Sequence, residues 1–118
     1  MIQESSFTAP WWCSNRHIQT LWGVLFRRNN SMVLKYERLE LQDGDFLDLA
    51  WTAREDGPIV VVLHGLEGSY RSHYIPGILE TIHSHGWRGV LVHFRGCSGE
   101  HNRLSRAYHS GDTSDFAA

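Results

Sequence analysis

Cysteine is scarce in this sequence: Cys13 and Cys97 are the only two in 118 residues. Two are too few for a disulfide framework and show no metal-type spacing, so both are expected to stay as thiols in a reducing, cytoplasmic setting. Long apolar runs are also missing. The longest, Ile59 to Leu63, falls far short of the ~20 residues that cross a bilayer. The opening Met1-Ile2-Gln3-Glu4-Ser5-Ser6 has neither the basic nor the apolar region of a secretion signal. Positive charge is not in excess: 11 Lys and Arg stand against 13 Asp and Glu, a net charge of −2. That excludes an overall basic field for nucleic acid or an anionic membrane. No internal repeat, low-complexity tract or linker interrupts the chain. What remains, 42% hydrophobic and 20% charged, is the composition of one small globular unit.

The periodicities change along the chain. Ile18, Leu21, Trp22, Leu25 and Phe26 recur at helical spacing, with Ser14 or Asn15 before them as N-cap and Arg27 and Arg28 at the closing end. Residues 33 to 52 alternate about Gln42-Asp43-Gly44-Asp45, which predicts an antiparallel hairpin. Ile59 to Leu63 is a continuous β-branched run, the pattern of a strand buried on both faces. Ile75, Ile78, Leu79 and Ile82 predict a helix within residues 71 to 85, stopped by Gly86. Gly89 to Phe94 is a second buried strand, so a βαβ unit follows the hairpin. Residues 108 to 118 read as the start of a further helix. The fold class is α/β. One helix covers only one face of a parallel pair, so residues 1–118 are expected to be part of a larger domain.

Two glycine-rich turns follow the two buried strands, where ligands bind in open α/β sheets. The first is His64-Gly65-Leu66-Glu67-Gly68. Its glycines allow a sharp turn that aims the Leu66 N–H at a developing oxyanion; a plain structural turn accounts for the same five residues. His64 reads as a residue that holds the loop rather than as a catalyst. The second is Arg95-Gly96-Cys97-Ser98-Gly99-Glu100. Ser98 fails the Gly-x-Ser-x-Gly elbow pattern because Glu100 stands where the second glycine belongs. Ser69, Ser72, Ser84, Ser105 and Ser110 lack both glycines. Cys97 has no evident base. His83, His85, His101 and His109 have no metal-ligand spacing, so they read as surface and loop histidines and no metal is expected. Arg103 and Arg106 read as solvated charges or ion pairs. The glycines do not match a dinucleotide or P-loop pattern, which excludes phosphate binding of those types.

Three stretches together resemble one family. Trp11-Trp12 with Asn15-Arg16-His17-Ile18-Gln19-Thr20 is similar to an N-terminal Asn-x-His-x-Gln-Thr motif. His64-Gly65-Leu66-Glu67-Gly68-Ser69 is similar to an oxyanion segment. Phe94 to Glu100, Asn102-Arg103 and Tyr108-His109-Ser110-Gly111-Asp112-Thr113 resemble the segment after the fourth strand. These belong to the YheT-like branch of the α/β-hydrolases, also called the AB-hydrolase-4 family. The resemblance implies a mostly parallel sheet flanked by helices, in a chain near three times this length. Residues 1–118 then form the N-terminal portion of one such domain, with 1–30 a leading helical segment. The remainder, 33–118, holds the first strands, the first helix and the start of the next.

The implied activity is that of a serine hydrolase on small-molecule carboxylic esters, of short-chain carboxylesterase or acylglycerol lipase type, with no cofactor. Its Ser, Asp and His are all expected beyond Ala118, so no catalytic triad residue lies in this sequence. Leu66 would supply a backbone oxyanion donor, in a turn shaped by His64, Gly65 and Gly68. His17 and Gln19 read as packing and hydrogen-bonding residues. Many eukaryotic members carry an N-terminal membrane anchor; its absence here is the pattern of the soluble bacterial branch. The alternative is a truncated, catalytically inactive remnant that only binds a partner.

Overall fold

In the computed structural model, which describes residues 5–26, 32–66, 68–109 and 111–116, the alternating segment folds as the expected hairpin. Strand β1 (Leu34–Glu40) runs antiparallel to β2 (Phe46–Thr52), with Glu40 opposite Phe46. The connecting turn is closed by the Gly44 N–H on the Leu41 carbonyl and the Leu41 N–H on the Asp45 carbonyl.

The βαβ unit follows as β3 (Ile59–Leu63), a helix over Ile75–Ser84 and β4 (Arg88–His93). β3 and β4 are parallel neighbours, and β4 also pairs antiparallel with β2. The sheet order is therefore β1-β2-β4-β3. The helix starts later than residue 71, because hydrogen bonds from Ser72 to Ser69 and from Ile75 to Ser72 first turn the chain. Pro76 sits in its first turn, where no N–H is needed. Gly86 ends it at φ +77°, with its N–H on the His83 carbonyl.

The core lies between this helix and the sheet. Ile75, Leu79 and Ile82 pack on Ala50, Val62 and Leu91. A smaller cluster of Leu41, Leu47 and Val92 lies on the opposite face. β4 is thus buried on both faces, but β3 is not. Ile59, Val61 and Leu63 are 47–55% exposed, while Val62 turns into the core. The expectation of a doubly buried β3 fails because β3 is the edge strand and, among the described residues, only its Val62 side faces a helix.

The leading segment forms helix α1 (Arg16–Phe26), preceded by a 3₁₀ turn at Trp11–Cys13; the helix over Ile75–Ser84 is α2. Asn15 is the N-cap: its Oδ1 accepts the His17 N–H at 2.8 Å. Gln19 Nε2 donates to the Cys13 carbonyl at 2.8 Å, and Thr20 Oγ1 to that of Arg16 at 2.9 Å. The polar residues of this motif are therefore used on local backbone. The His17 side chain is exposed rather than packed. Trp12, Trp22 and Phe26 stack in series, with centroids 4.8 and 4.3 Å apart. The proposed helix closure at Arg27 and Arg28 lies outside the described residues. At the other end, the expected helix start is a single 3₁₀ turn at Ser114–Phe116, where the Asp112 carboxylate accepts the Ser114 hydroxyl and N–H. Ser110, Ala117 and Ala118 lie outside the described residues.

Candidate active site

The first turn leaves the carboxyl end of β3. His64 is only 5% exposed, and both its ring nitrogens are engaged. Nδ1 lies 2.7 Å from the Gly65 carbonyl, and Nε2 accepts the Phe94 N–H at 3.0 Å. A carbonyl can only accept and an amide N–H can only donate, so the proton is on Nδ1 and the ring is neutral. Burial pushes its pKa below the usual histidine value, against the Gly65 carbonyl, which favours the charged form.

The Gly65 carbonyl has a second donor, the Gly68 N–H at 2.9 Å. That carbonyl shares a trans, planar peptide with the Leu66 N–H, so fixing one direction fixes the other. Leu66 itself is 87% exposed. The Gly65 N–H in turn donates to Tyr74 Oη at 2.8 Å. The Gly65–Leu66 peptide is thus held through its carbonyl and the preceding peptide through its N–H; Glu67 lies outside the described residues.

The glycine that the turn requires is Gly68 rather than Gly65. A Cβ on Gly65 would meet Tyr74 Oη at an ordinary 3.5 Å. A Cβ on Gly68 would lie 2.8 Å from His64 Cβ and 2.9 Å from the Gly65 oxygen, closer than real Cβ atoms come.

The second turn leaves β4 at Arg95, whose side chain is 2% exposed among three aspartates. Asp115 accepts from Nε and from a terminal nitrogen at 2.8 and 2.7 Å, while Asp45 and Asp43 each accept at 2.8 Å. These bonds, led by Asp115, hold the guanidinium charged and its pKa well above the usual range. Burial raises the Asp45 pKa, but hydrogen bonds from Asn102, the Arg103 N–H and Arg95 outweigh it and bring it to about 2. Arg103 also donates to Glu40, and Arg106 to Asp112, so both form the ion pairs that were one of their two readings.

The other candidates fall away on geometry. Ser98 hydrogen-bonds the Asp48 carboxylate, which Arg38 also engages. The nearby His93 is committed on both nitrogens, to the Asp48 carbonyl at 3.0 Å and the Tyr70 N–H at 3.3 Å. Neither buried histidine has a nitrogen left to act as a base. His85 Nδ1 bonds the Thr81 carbonyl at the end of α2. Among the described residues, no three His, Cys, Asp or Glu side chains gather to hold a metal, and no helix is long and apolar enough to cross a membrane.

Sequence reasoning missed Tyr74 and the partners of Arg95. No local pattern marks Tyr74, nine residues beyond Gly65. Asp45 and Asp115 stand 50 and 20 residues from Arg95. The available signal was an arginine placed directly after a buried strand, where an unpaired charge would be costly.

A hairpin, a βαβ unit and a His-Gly turn at the carboxyl end of β3 are features of an α/β-hydrolase, and this chain belongs to that family. No family model matches the sequence. The chain is 52% identical over 106 residues to the putative esterase YheT of Escherichia coli, covering 86% of this chain and 31% of that protein. It is 32% identical over 121 residues to protein abhd-3.2 of Caenorhabditis elegans, covering 98% and 32%. It is 25% identical over 114 residues to human phospholipase ABHD3, covering 89% and 28%. The chain spans about a third of the length of these relatives. It falls in the YheT-like branch of the α/β-hydrolases.

Proposed function

We propose that residues 1–118 are the N-terminal portion of one α/β-hydrolase domain that cleaves small carboxylic esters, and that they supply half of its oxyanion hole. The observation that carries this reading is the Gly65–Leu66 peptide. His64 and the Gly68 N–H both hold its carbonyl, so the Leu66 N–H is oriented before any substrate arrives. A preorganised donor stabilises charge as it develops and needs no rearrangement at the moment of reaction.

In the complete enzyme a serine beyond Ala118 attacks the acyl carbonyl, and a histidine takes its proton. The oxyanion then lies between the Leu66 N–H and the N–H that follows the serine. The histidine returns the proton to the departing alcohol, and water releases the acyl group. No metal or organic cofactor enters these steps. Short-chain esters or acylglycerols are the proposed substrates, and the names of the esterase and phospholipase relatives support an ester substrate in general. A cytoplasmic setting fits two cysteines that form no disulfide.

The test is p-nitrophenyl butyrate hydrolysis by the natural gene product and two variants. Gly68→Ala pushes on the Gly65 oxygen and should lower kcat by about 10²–10³, the scale of losing one oxyanion donor. Gly65→Ala, which meets only an ordinary contact, should keep most of the rate. No hydrolysis by the wild type, or a wild-type kcat in a folded Gly68→Ala, would end the proposal.

A further inference from the structure

The ladder between β3 and β4 ends at Leu63 opposite Val92. Beyond it, the emerging backbone donors are taken by side chains instead of strand carbonyls. His64 takes the Phe94 N–H, and Tyr74 Oη takes the Gly65 N–H. We infer that Tyr74 is a positioning residue for the oxyanion turn, an inference that rests on the ester-hydrolase reading above.

Three features support this role. First, the hydroxyl is placed by a rigid element: Tyr74 is the N-cap position of α2, and its ring packs against the core cluster of Ala50, Val62, Ile75, Leu79, Ile82 and Leu91. Second, the bond completes the restraint on Gly65. His64 and the Gly68 N–H hold the carbonyl side of this residue, and Tyr74 holds its amide side. With both flanking peptides held, the two backbone dihedrals of Gly65 are fixed, and a glycine is the residue that most needs such restraint. Third, the bond lies at the solvent-exposed side of the turn. Water can replace the phenol as acceptor, so its loss does not orphan a buried group. The hydroxyl therefore contributes to the orientation of the Leu66 N–H more than to stability.

Tyr74→Phe removes one oxygen and keeps the ring in the core. In the natural gene product, kcat for p-nitrophenyl butyrate should fall about ten-fold, less than the ~10²–10³ of losing the donor outright. KM should stay within about two-fold, because the interaction is made with the transition state rather than the bound ester. The melting temperature should move little. Tyr36→Phe, the same change on an exposed tyrosine of β1, is the control and should leave all three unchanged. A wild-type kcat in Tyr74→Phe, or an equal loss in Tyr36→Phe, overturns the inference.

Amide NMR separates this failure from failure of the ester reading. If the wild type hydrolyses no ester, that reading falls, and the Gly65 and Leu66 amide signals decide on Tyr74. Upfield shifts and faster exchange of the Gly65 amide in Tyr74→Phe uphold its positioning role. Unchanged signals dismiss it.

Discussion

A basic residue followed by glycine comes soon after each parallel strand, His64-Gly65 directly after β3 and Arg95-Gly96 after Phe94 beyond β4, yet the two turns are built differently. His64 is neutral, grips backbone through both nitrogens, and leaves Leu66 87% exposed. Arg95 is charged and enclosed by Asp43, Asp45 and Asp115. The first turn fixes its own Gly65–Leu66 peptide through the carbonyl. The second ties the hairpin turn and residues 112–116 to the end of β4. A basic residue before a glycine is thus spent on backbone groups in one turn and on an ion cluster in the other. What differs is whether the side chain engages backbone groups or distant carboxylates.

The largest effect should come from breaking the second turn. Arg95→Met keeps an unbranched apolar stem but leaves Asp45, fully buried, without its cation. Removing one partner from a buried ion cluster costs about 3–5 kcal/mol, a large part of a small domain's stability. Urea unfolding of the natural gene product should show it as a much lower midpoint. A midpoint within error of wild type would mean that the aspartates are already solvated and that the contrast between the turns is overstated.

Much of this architecture was legible in the residues themselves. The spacing of Ile18 to Phe26 and of Ile75 to Ile82, the turn at Asp43-Gly44 and the stop at Gly86 are local signals, and each produced its element. The environment of β3 was not legible. Ile59-Val60-Val61-Val62-Leu63 has the composition of a doubly covered strand, whereas among the described residues of this chain it lies at the sheet edge with one face half exposed. The Arg95 cluster was hidden for another reason. Its partners come together only after β2 and β4 pair, and no spacing rule spans 50 residues. At the candidate site the His-Gly motif predicted a turn after β3, and a turn closed by the Gly68 N–H on the Gly65 carbonyl stands there. Which glycine was indispensable depended on the position of His64 Cβ, a distance that only the folded chain contains.

Acid should separate the two turns. Burial lowers the pKa of His64 and of His93 below the reference value of 6.5. The unfolded chain therefore takes up protons first as pH falls. Their contribution is complete above about 6.5 and is lost as pH drops below it toward the folded values. Asp45 behaves in the opposite sense of charge but the same sense of pH. Its pKa is lowered from 3.8 to about 2, so its contribution is present above 3.8 and disappears only as pH falls toward 2. Urea midpoints at pH 7.5, 5.5 and 3.0 should show a first loss between 7.5 and 5.5. His64→Gln should diminish that loss, and Arg95→Met should leave it in place. A flat midpoint down to pH 5 would remove the histidine side of the comparison.

The smallest effect should fall on a region that belongs to neither turn. Helix α1 packs mainly on its own 3₁₀ turn, and Trp11, Leu25 and Phe26 remain 62–90% exposed. It approaches the rest of the fold where a Cβ on Gly23 would lie 3.8 Å from His73, the neighbour of Tyr74. Asn15→Ala removes its N-cap, a change worth about 1 kcal/mol. Because that cap satisfies only the His17 N–H, the loss should appear as faster amide exchange within residues 16–20, while the signals of Gly65 and Leu66 stay in place. Movement of those two signals would instead mean that α1 steadies Tyr74 through His73, and that the orientation of the Leu66 N–H begins at the Asn15 motif.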